Sequence, residues 1–126
     1  MGFSRWQVTG TARGLHHMHH LGFIHGNLEI VSCHTPHPFA HHKLTVKFFQ
    51  TNVLVDSEGT PRIAGLGSAI PEFPSVTCSE VPGVLTRSSA PELMDPGAFG
   101  LPSARPTKAS DVYAFGVLVY QVSHQS

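Results

Sequence analysis

The chain of 126 residues has little charge, few cysteines and no long apolar run. Charged residues make up 13% of the sequence, and eight basic residues balance eight acidic ones. Because nucleic-acid binding needs a basic surplus, this balance argues against a nucleic-acid partner. No apolar stretch approaches the roughly 20 residues of a membrane span, and no apolar signal segment opens the sequence. We therefore expect an intracellular, cytoplasmic chain without a membrane or nucleic-acid partner.

The two cysteines, Cys33 and Cys78, both stand in segments with loop character. Two such residues do not form a disulfide framework, so free thiols in a reducing compartment are favoured over a bridge. Histidine is abundant instead, with ten residues, and His16 and His20 lie one helical turn apart, as in some zinc sites. The sequence favours solvated histidines, and a histidine-rich metal-binding protein is kept as an alternative.

Hydrophobic periodicity predicts a first helix and a hairpin. Apolar residues recur at three- and four-residue steps from Trp6 to Leu21, and Gly22 is placed to end that helix. Two β-rich stretches flank turn residues within 51–64, which predicts a β-hairpin.

A second helix is predicted over residues 110–122, after a long region rich in proline, glycine and serine. Ser110 is the expected N-cap, and Asp111 adds negative charge to the first turn. The stretch is apolar almost all round, which is typical of a helix that is buried on every side. A chain of this length can hardly surround such a helix, so we expect part of its packing to be missing.

Four stretches stand in one order: GLHHMHHLGFIHGNLE, TNVLVDSEGTPRIAGLG, RSSAPEL and RPTKASDVYAFGVLVY. Together they resemble the middle of a eukaryotic protein kinase domain, closest to the tyrosine-kinase-like group. The resemblance implies an α+β fold, a mainly α C-lobe portion with a small β-hairpin, without the N-lobe or the remainder of the C-lobe. Its expected parts within a partial domain 1–126 are the helix and catalytic loop (6–29), the hairpin (51–64), the activation segment (65–92) and the core helix (110–122).

The resemblance also assigns positions to the catalytic residues. Kinase catalytic loops read H-R-D-L-x-x-x-N, and His25, Gly26 and Asn27 resemble its start. Asn27 then stands where the catalytic aspartate is expected, and a carboxamide cannot act as a general base near neutral pH. Asn52 resembles the loop asparagine, a residual position for metal and ATP. Gly65 stands where the D-F-G aspartate would hold magnesium.

The remaining motif residues are structural. Ala90, Pro91 and Glu92 form an intact A-P-E motif, and Asp111 resembles the aspartate that opens the large C-lobe helix. By this resemblance no catalytic residue is intact and the chain has no metal ligands. We expect no cofactor for this chain, whereas an intact relative would use ATP and Mg²⁺.

Gly26 replaces the arginine that would pair with a phosphate on the activation segment. A phosphate on Thr86, Ser88 or Ser89 would therefore lack its usual acceptor.

Residues 31–50 interrupt the kinase pattern. Between Glu29 and Asn52 the chain has 22 residues where the family has two. The segment could be a natural loop insertion or a translated, retained intron, because Val31-Ser32 can be encoded by a splice donor and residues 48–50 by an acceptor. Sequencing the spliced transcript decides between them: loss of codons 31–50 supports the intron, and their presence rules it out.

The sequence thus favours a catalytically inactive, pseudokinase-type fragment that acts by binding an unidentified protein partner in signalling. A residual ATP-dependent phosphotransferase, in a longer form with an N-lobe, is the second hypothesis. The histidine-rich metal-binding protein is the third.

Overall fold

A computed structural model describes residues 5–29, 52–73 and 85–124. Within these ranges it has three α-helices, four short strands and two 3₁₀ turns. The helices are α1 (Arg5–His20), α2 (Pro91–Met94) and α3 (Lys108–His124), and the 3₁₀ turns are Leu66–Ser68 and Pro96–Phe99. The strands are β1 (Phe23–Ile24), β2 (Val53–Val55), β3 (Pro61–Ile63) and β4 (Ile70–Pro71). This mixture of helices and small antiparallel sheets is compatible with the expected α+β class.

The strands form two antiparallel pairs. β1 pairs with β4, with Ile24 opposite Ile70, and β2 pairs with β3, with Leu54 opposite Arg62. The return strand of the hairpin begins at Pro61, within the range 51–64 predicted for the hairpin.

Asp56 closes the hairpin turn between β2 and β3. Its Oδ1 accepts hydrogen bonds from the backbone N–H groups of Thr60 at 2.7 Å and Glu58 at 3.1 Å. The bond from Thr60, helped by Arg62, holds the pKa of the Asp56 carboxyl below its usual value. The Asp56 side chain therefore fixes the turn together with two backbone hydrogen bonds, from the Asp56 N–H to the Thr60 carbonyl and from the Gly59 N–H to the Asp56 carbonyl.

The core lies between α1, the loop after β1, the hairpin and α3. Leu28 and Leu118 are each 2% exposed, and full burial of such a side chain stabilises the fold by about 1.5–3 kcal/mol. The buried members of this cluster are Leu15, Leu28, Val53, Ala114, Leu118 and Val122. Since they come from all four elements, the core fixes the loop after β1 against α3.

Helix α3 begins two residues before the predicted N-cap, so the assignment of Ser110 as N-cap was wrong. The Oγ1 of Thr107 accepts from the Ser110 N–H at 3.1 Å, and the Ser110 Oγ accepts from the Thr107 N–H at 2.8 Å. This is a reciprocal capping box, in which serine takes the place usually filled by Glu or Gln. The helix also continues to His124, beyond the predicted end at 122.

Helix α3 buries one face only among the described residues. Ala114, Leu118 and Val122, spaced by four, line the core, whereas Val112 is 57% and Tyr120 64% exposed. The expectation of burial on every side is therefore not met in the described part of the chain. An exposed apolar face of this kind is typical either of an interaction surface or of a surface that promotes aggregation.

Glycines in α1 allow the helix to approach the hairpin closely. A Cβ on Gly10 would lie 2.4 Å from Pro61 Cγ, and one on Gly14 would lie 3.3 Å from Ile63 Cδ1. A helix interior usually disfavours glycine, by about 1 kcal/mol against alanine. Here the absence of a side chain at these two glycines permits the contact between α1 and β3.

Gly10→Ala should therefore destabilise the chain, by about 1–3 kcal/mol, because the added methyl overpacks the contact with Pro61. Gly116→Ala in α3 should stabilise it by up to about 1 kcal/mol, since nothing lies within 4 Å of the added Cβ. Urea denaturation of both variants measures the two shifts. Equal shifts of the same sign would contradict this account of Gly10.

None of the helices in the described ranges is long and apolar enough to cross a membrane.

Candidate functional site

The loop after β1 is fixed to the start of α3 by one buried carboxylate. Asp111 is 2% exposed, and its Oδ2 accepts from the His25 backbone N–H at 2.8 Å. Its Oδ1 accepts from the Gly26 backbone N–H at 3.0 Å. Hydrogen bonds to a carboxylate are among the stronger ones, and here they also satisfy two loop amides. Asp111, expected from the sequence to be structural, thus positions the loop.

His19 completes the set of groups around this carboxylate. Its Nε2 lies 2.8 Å from Asp111 Oδ2, and its side chain is 12% exposed. The sequence reasoning did not single out His19, because it weighed His16 and His20 as a metal pair. A signal was present: His19 stands four residues after the buried Leu15, on the core-facing side of α1.

His25 is fully buried and connects the loop to the hairpin side. Its Nε2 lies 2.7 Å from the Ala64 carbonyl oxygen, and its Nδ1 is 3.2 Å from the Asn27 backbone nitrogen. Because Nδ1 must accept from that N–H, the Nε2 proton is the one donated to Ala64. The ring therefore holds the residue before Gly65 against the loop.

Asn52 and Gly65, the two expected metal positions, lie in direct proximity. The Asn52 Nδ2 donates to the Asn27 carbonyl oxygen, and Asn52 is 4% exposed. Gly65 has a φ of +68°, and a Cβ built on it would lie 1.8 Å from Asn52 Oδ1. The Asn52 side chain thus occupies the space where a side chain at 65 would begin.

These residues do not fit a magnesium site. Mg²⁺ needs octahedral oxygen ligands that usually include a carboxylate. Gly65 supplies none, and the Asn52 side chain is committed to Asn27 through its nitrogen and crowded at its oxygen.

Nor do the described residues contain a group of three or more His, Cys, Asp or Glu side chains able to hold a metal ion. His16 and His20 are both exposed on α1. The histidines of segment 31–50 and both cysteines lie outside the described residues, as does the proposed insertion itself.

The A-P-E residues begin α2. Ala90 is 1% exposed and precedes the helix, Pro91 is its first residue, and Glu92 places a negative charge in its first turn. Proline at this position and an acid in the first turn both favour a helix start.

The segment 85–90, which leads into α2, forms a turn fixed by its own hydroxyl groups. Ser89 Oγ accepts from the Thr86 N–H at 2.8 Å, and Thr86 Oγ1 accepts from the Ser88 N–H at 3.2 Å. Ser88 itself is 2% exposed, so its hydroxyl is closed to a modifying enzyme in this conformation.

Two contacts, which the sequence did not indicate, join the end of β4 to the start of α3. Lys108 Nζ lies 2.6 Å from Glu72 Oε2, and Arg105 Nη2 donates to the Pro71 carbonyl at 2.8 Å. They connect the residues that follow Gly65 to the helix that carries Asp111.

Comparison with known proteins supports a kinase-like fragment. The chain is 37% identical over 116 residues to a leucine-rich repeat receptor-like protein kinase of Arabidopsis thaliana. It is 29% identical over 117 residues to an inactive receptor-like protein kinase, and 28% identical over 114 residues to an inactive leucine-rich repeat receptor-like serine/threonine-protein kinase, both of Arabidopsis thaliana.

These alignments cover 90–91% of this chain but only 13–14% of the relatives, so the chain spans about one seventh of their length. No protein-family model matches the chain.

Proposed function

We propose that the chain is a pseudokinase-type module of the tyrosine-kinase-like group, which acts in signalling by binding a protein partner in the cytoplasm and transfers no phosphate. The observation that carries the proposal is the placement of Asn52 against Gly65. The position expected to hold Mg²⁺ lacks a carboxylate, and a side chain there would collide with that of Asn52.

Three further observations support the same function. Asn27 carries a carboxamide at the position expected for the general base, and loss of such a base costs about 10²–10⁴-fold in rate. The loop nevertheless keeps its hydrogen bonds to Asp111, so its shape does not require an aspartate at position 27. Two of the relatives named above are themselves called inactive.

The test is nucleotide binding and phosphotransfer by the purified chain. A ligand at 100 times its Kd stabilises a protein by about 2.7 kcal/mol, which raises the melting temperature by several degrees. We expect no such rise with ATP and Mg²⁺, and no transfer of radiolabelled phosphate to the chain or to a generic substrate such as myelin basic protein. A magnesium-dependent rise or measurable transfer would overturn the proposal, and an active protein kinase serves as the positive control for the transfer assay.

A further inference from the structure

A small cavity lies between the loop that contains Asn27 and the segment 85–90. The room it offers to a water molecule is about 20 Å³. Its polar lining includes Asn27, Thr86, Ser88, Ser89, Ser110 and Asp111. The cavity is therefore polar and lies between Asn27, the residue at the expected position of the catalytic aspartate, and the segment before α2.

Most polar side chains of this lining already have partners. Thr86 and Ser89 bond within their own turn, Ser110 bonds to Thr107, and Asp111 accepts from the loop and faces His19. Two buried atoms of this lining have no partner among the described residues: Asn27 Oδ1 and Ser88 Oγ. Both belong to residues that line the cavity. Buried polar atoms nearly always bond to protein or to ordered water, so these two require a partner.

The size and chemistry of the cavity select that partner. A site needs about 10–15 Å³ of such room to hold one water molecule, and cavities that stay dry are apolar. The cavity between Asn27 and the segment 85–90 meets this requirement for one water molecule. A water molecule can donate to the amide oxygen of Asn27 and can donate to, or accept from, the hydroxyl of Ser88.

We infer that one structural water molecule binds in this cavity and bridges Asn27 Oδ1 to Ser88 Oγ. The bridge joins the loop after β1 to the segment before α2. It also occupies the Asn27 amide oxygen, which is then not free to accept from a substrate hydroxyl. It does not depend on whether the chain binds a protein partner, and it would hold even if the proposed function were wrong.

Magnetisation transfer from water to amide protons tests the bridge in the unmodified chain. A long-lived water should give cross-peaks at the amides of Asn27 and Ser88 with the sign of a bound molecule. Absence of these cross-peaks, or a crystal structure in which the two side chains bond directly, would overturn the inference. Because this measurement needs no substitution, it stands even if a variant fails to fold.

A double-mutant cycle adds an energetic test. Ser88→Ala and Asn27→Ala should be coupled by about fivefold or more in the unfolding equilibrium constant, because either change removes one of the two partners of the water. Ser88→Ala should also abolish the water cross-peak at Asn27, whereas Ser103→Ala, at an exposed serine, should leave it unchanged. Independent effects of the two substitutions, or a cross-peak that persists in Ser88→Ala, would count against the bridge.

Discussion

Gly65→Ala should lower the free energy of unfolding by about 3 kcal/mol. The left-handed backbone at Gly65 costs any other residue about 1–2 kcal/mol. The new Cβ would also lie 1.8 Å from Asn52 Oδ1, and overpacking of this kind costs about 1–3 kcal/mol. Asn52 cannot move aside freely, because it is buried and its Nδ2 is bonded to the Asn27 carbonyl. Urea denaturation measures the loss.

Two other glycines separate the collision from the backbone strain. Gly100 has a φ of +67° with nothing within 4 Å of an added Cβ, so Gly100→Ala should cost only the strain. Gly67→Ala meets neither obstacle and should change the stability by less than about 0.5 kcal/mol. If Gly65→Ala lowered the free energy of unfolding no more than Gly100→Ala does, the Asn52 side chain must move away from the new Cβ. By the same argument, Gly65→Asp cannot restore a metal site without first displacing Asn52.

Asp111→Asn should lower the free energy of unfolding by about 3–5 kcal/mol, the usual cost of breaking a buried charged network. Both carboxylate oxygens accept a backbone N–H, from His25 and from Gly26. Either orientation of the asparagine amide therefore points its NH₂ group at one of these donors. The substitution also replaces the charged partner of the His19 ring with a neutral amide. The melting temperature of the variant and the hydrogen-exchange rates of the two loop amides measure the effect.

Asp95→Asn is the matched control for this substitution. Only Oδ1 of Asp95 accepts a backbone N–H, from Ala98 at 3.1 Å, and the residue is exposed. An asparagine can keep its oxygen on that donor and turn its NH₂ to solvent, so the change should stay within about 0.5 kcal/mol. Similar losses at positions 95 and 111 would show that the two-donor arrangement at 111 is not what stabilises the loop.

Three of the elements, α1, the hairpin and α3, could be predicted from local sequence signals, whereas β1, β4 and α2 were not. Apolar spacing indicates α1, and Gly22, with its φ of +80°, follows where the helix ends. The turn residues around Asp56 indicate the hairpin. These signals act within a few residues of the element they define, which is why they can be read without the fold.

The contacts that organise the site could not be predicted in the same way. The hydrogen bonds of Asp111 end on backbone N–H groups more than 80 positions away in the chain, and every residue except proline carries such a group. The close approach of β3 to Gly10 and Gly14 of α1 joins positions about 50 residues apart, so no local pattern indicates it. Serine at 110 and threonine at 107 are both good caps, so composition alone placed the start of α3 at the wrong one.

The anchor of the loop has a consequence for how such a protein can change over evolutionary time. Asp111 holds the main chain at positions 25 and 26 rather than any side chain. The shape of the loop is therefore kept when the side chain at position 27 is replaced. Catalytic residues can then be lost one by one while the scaffold survives. A lineage that ceases to transfer phosphate keeps a ready-made surface on which selection for recognition can act.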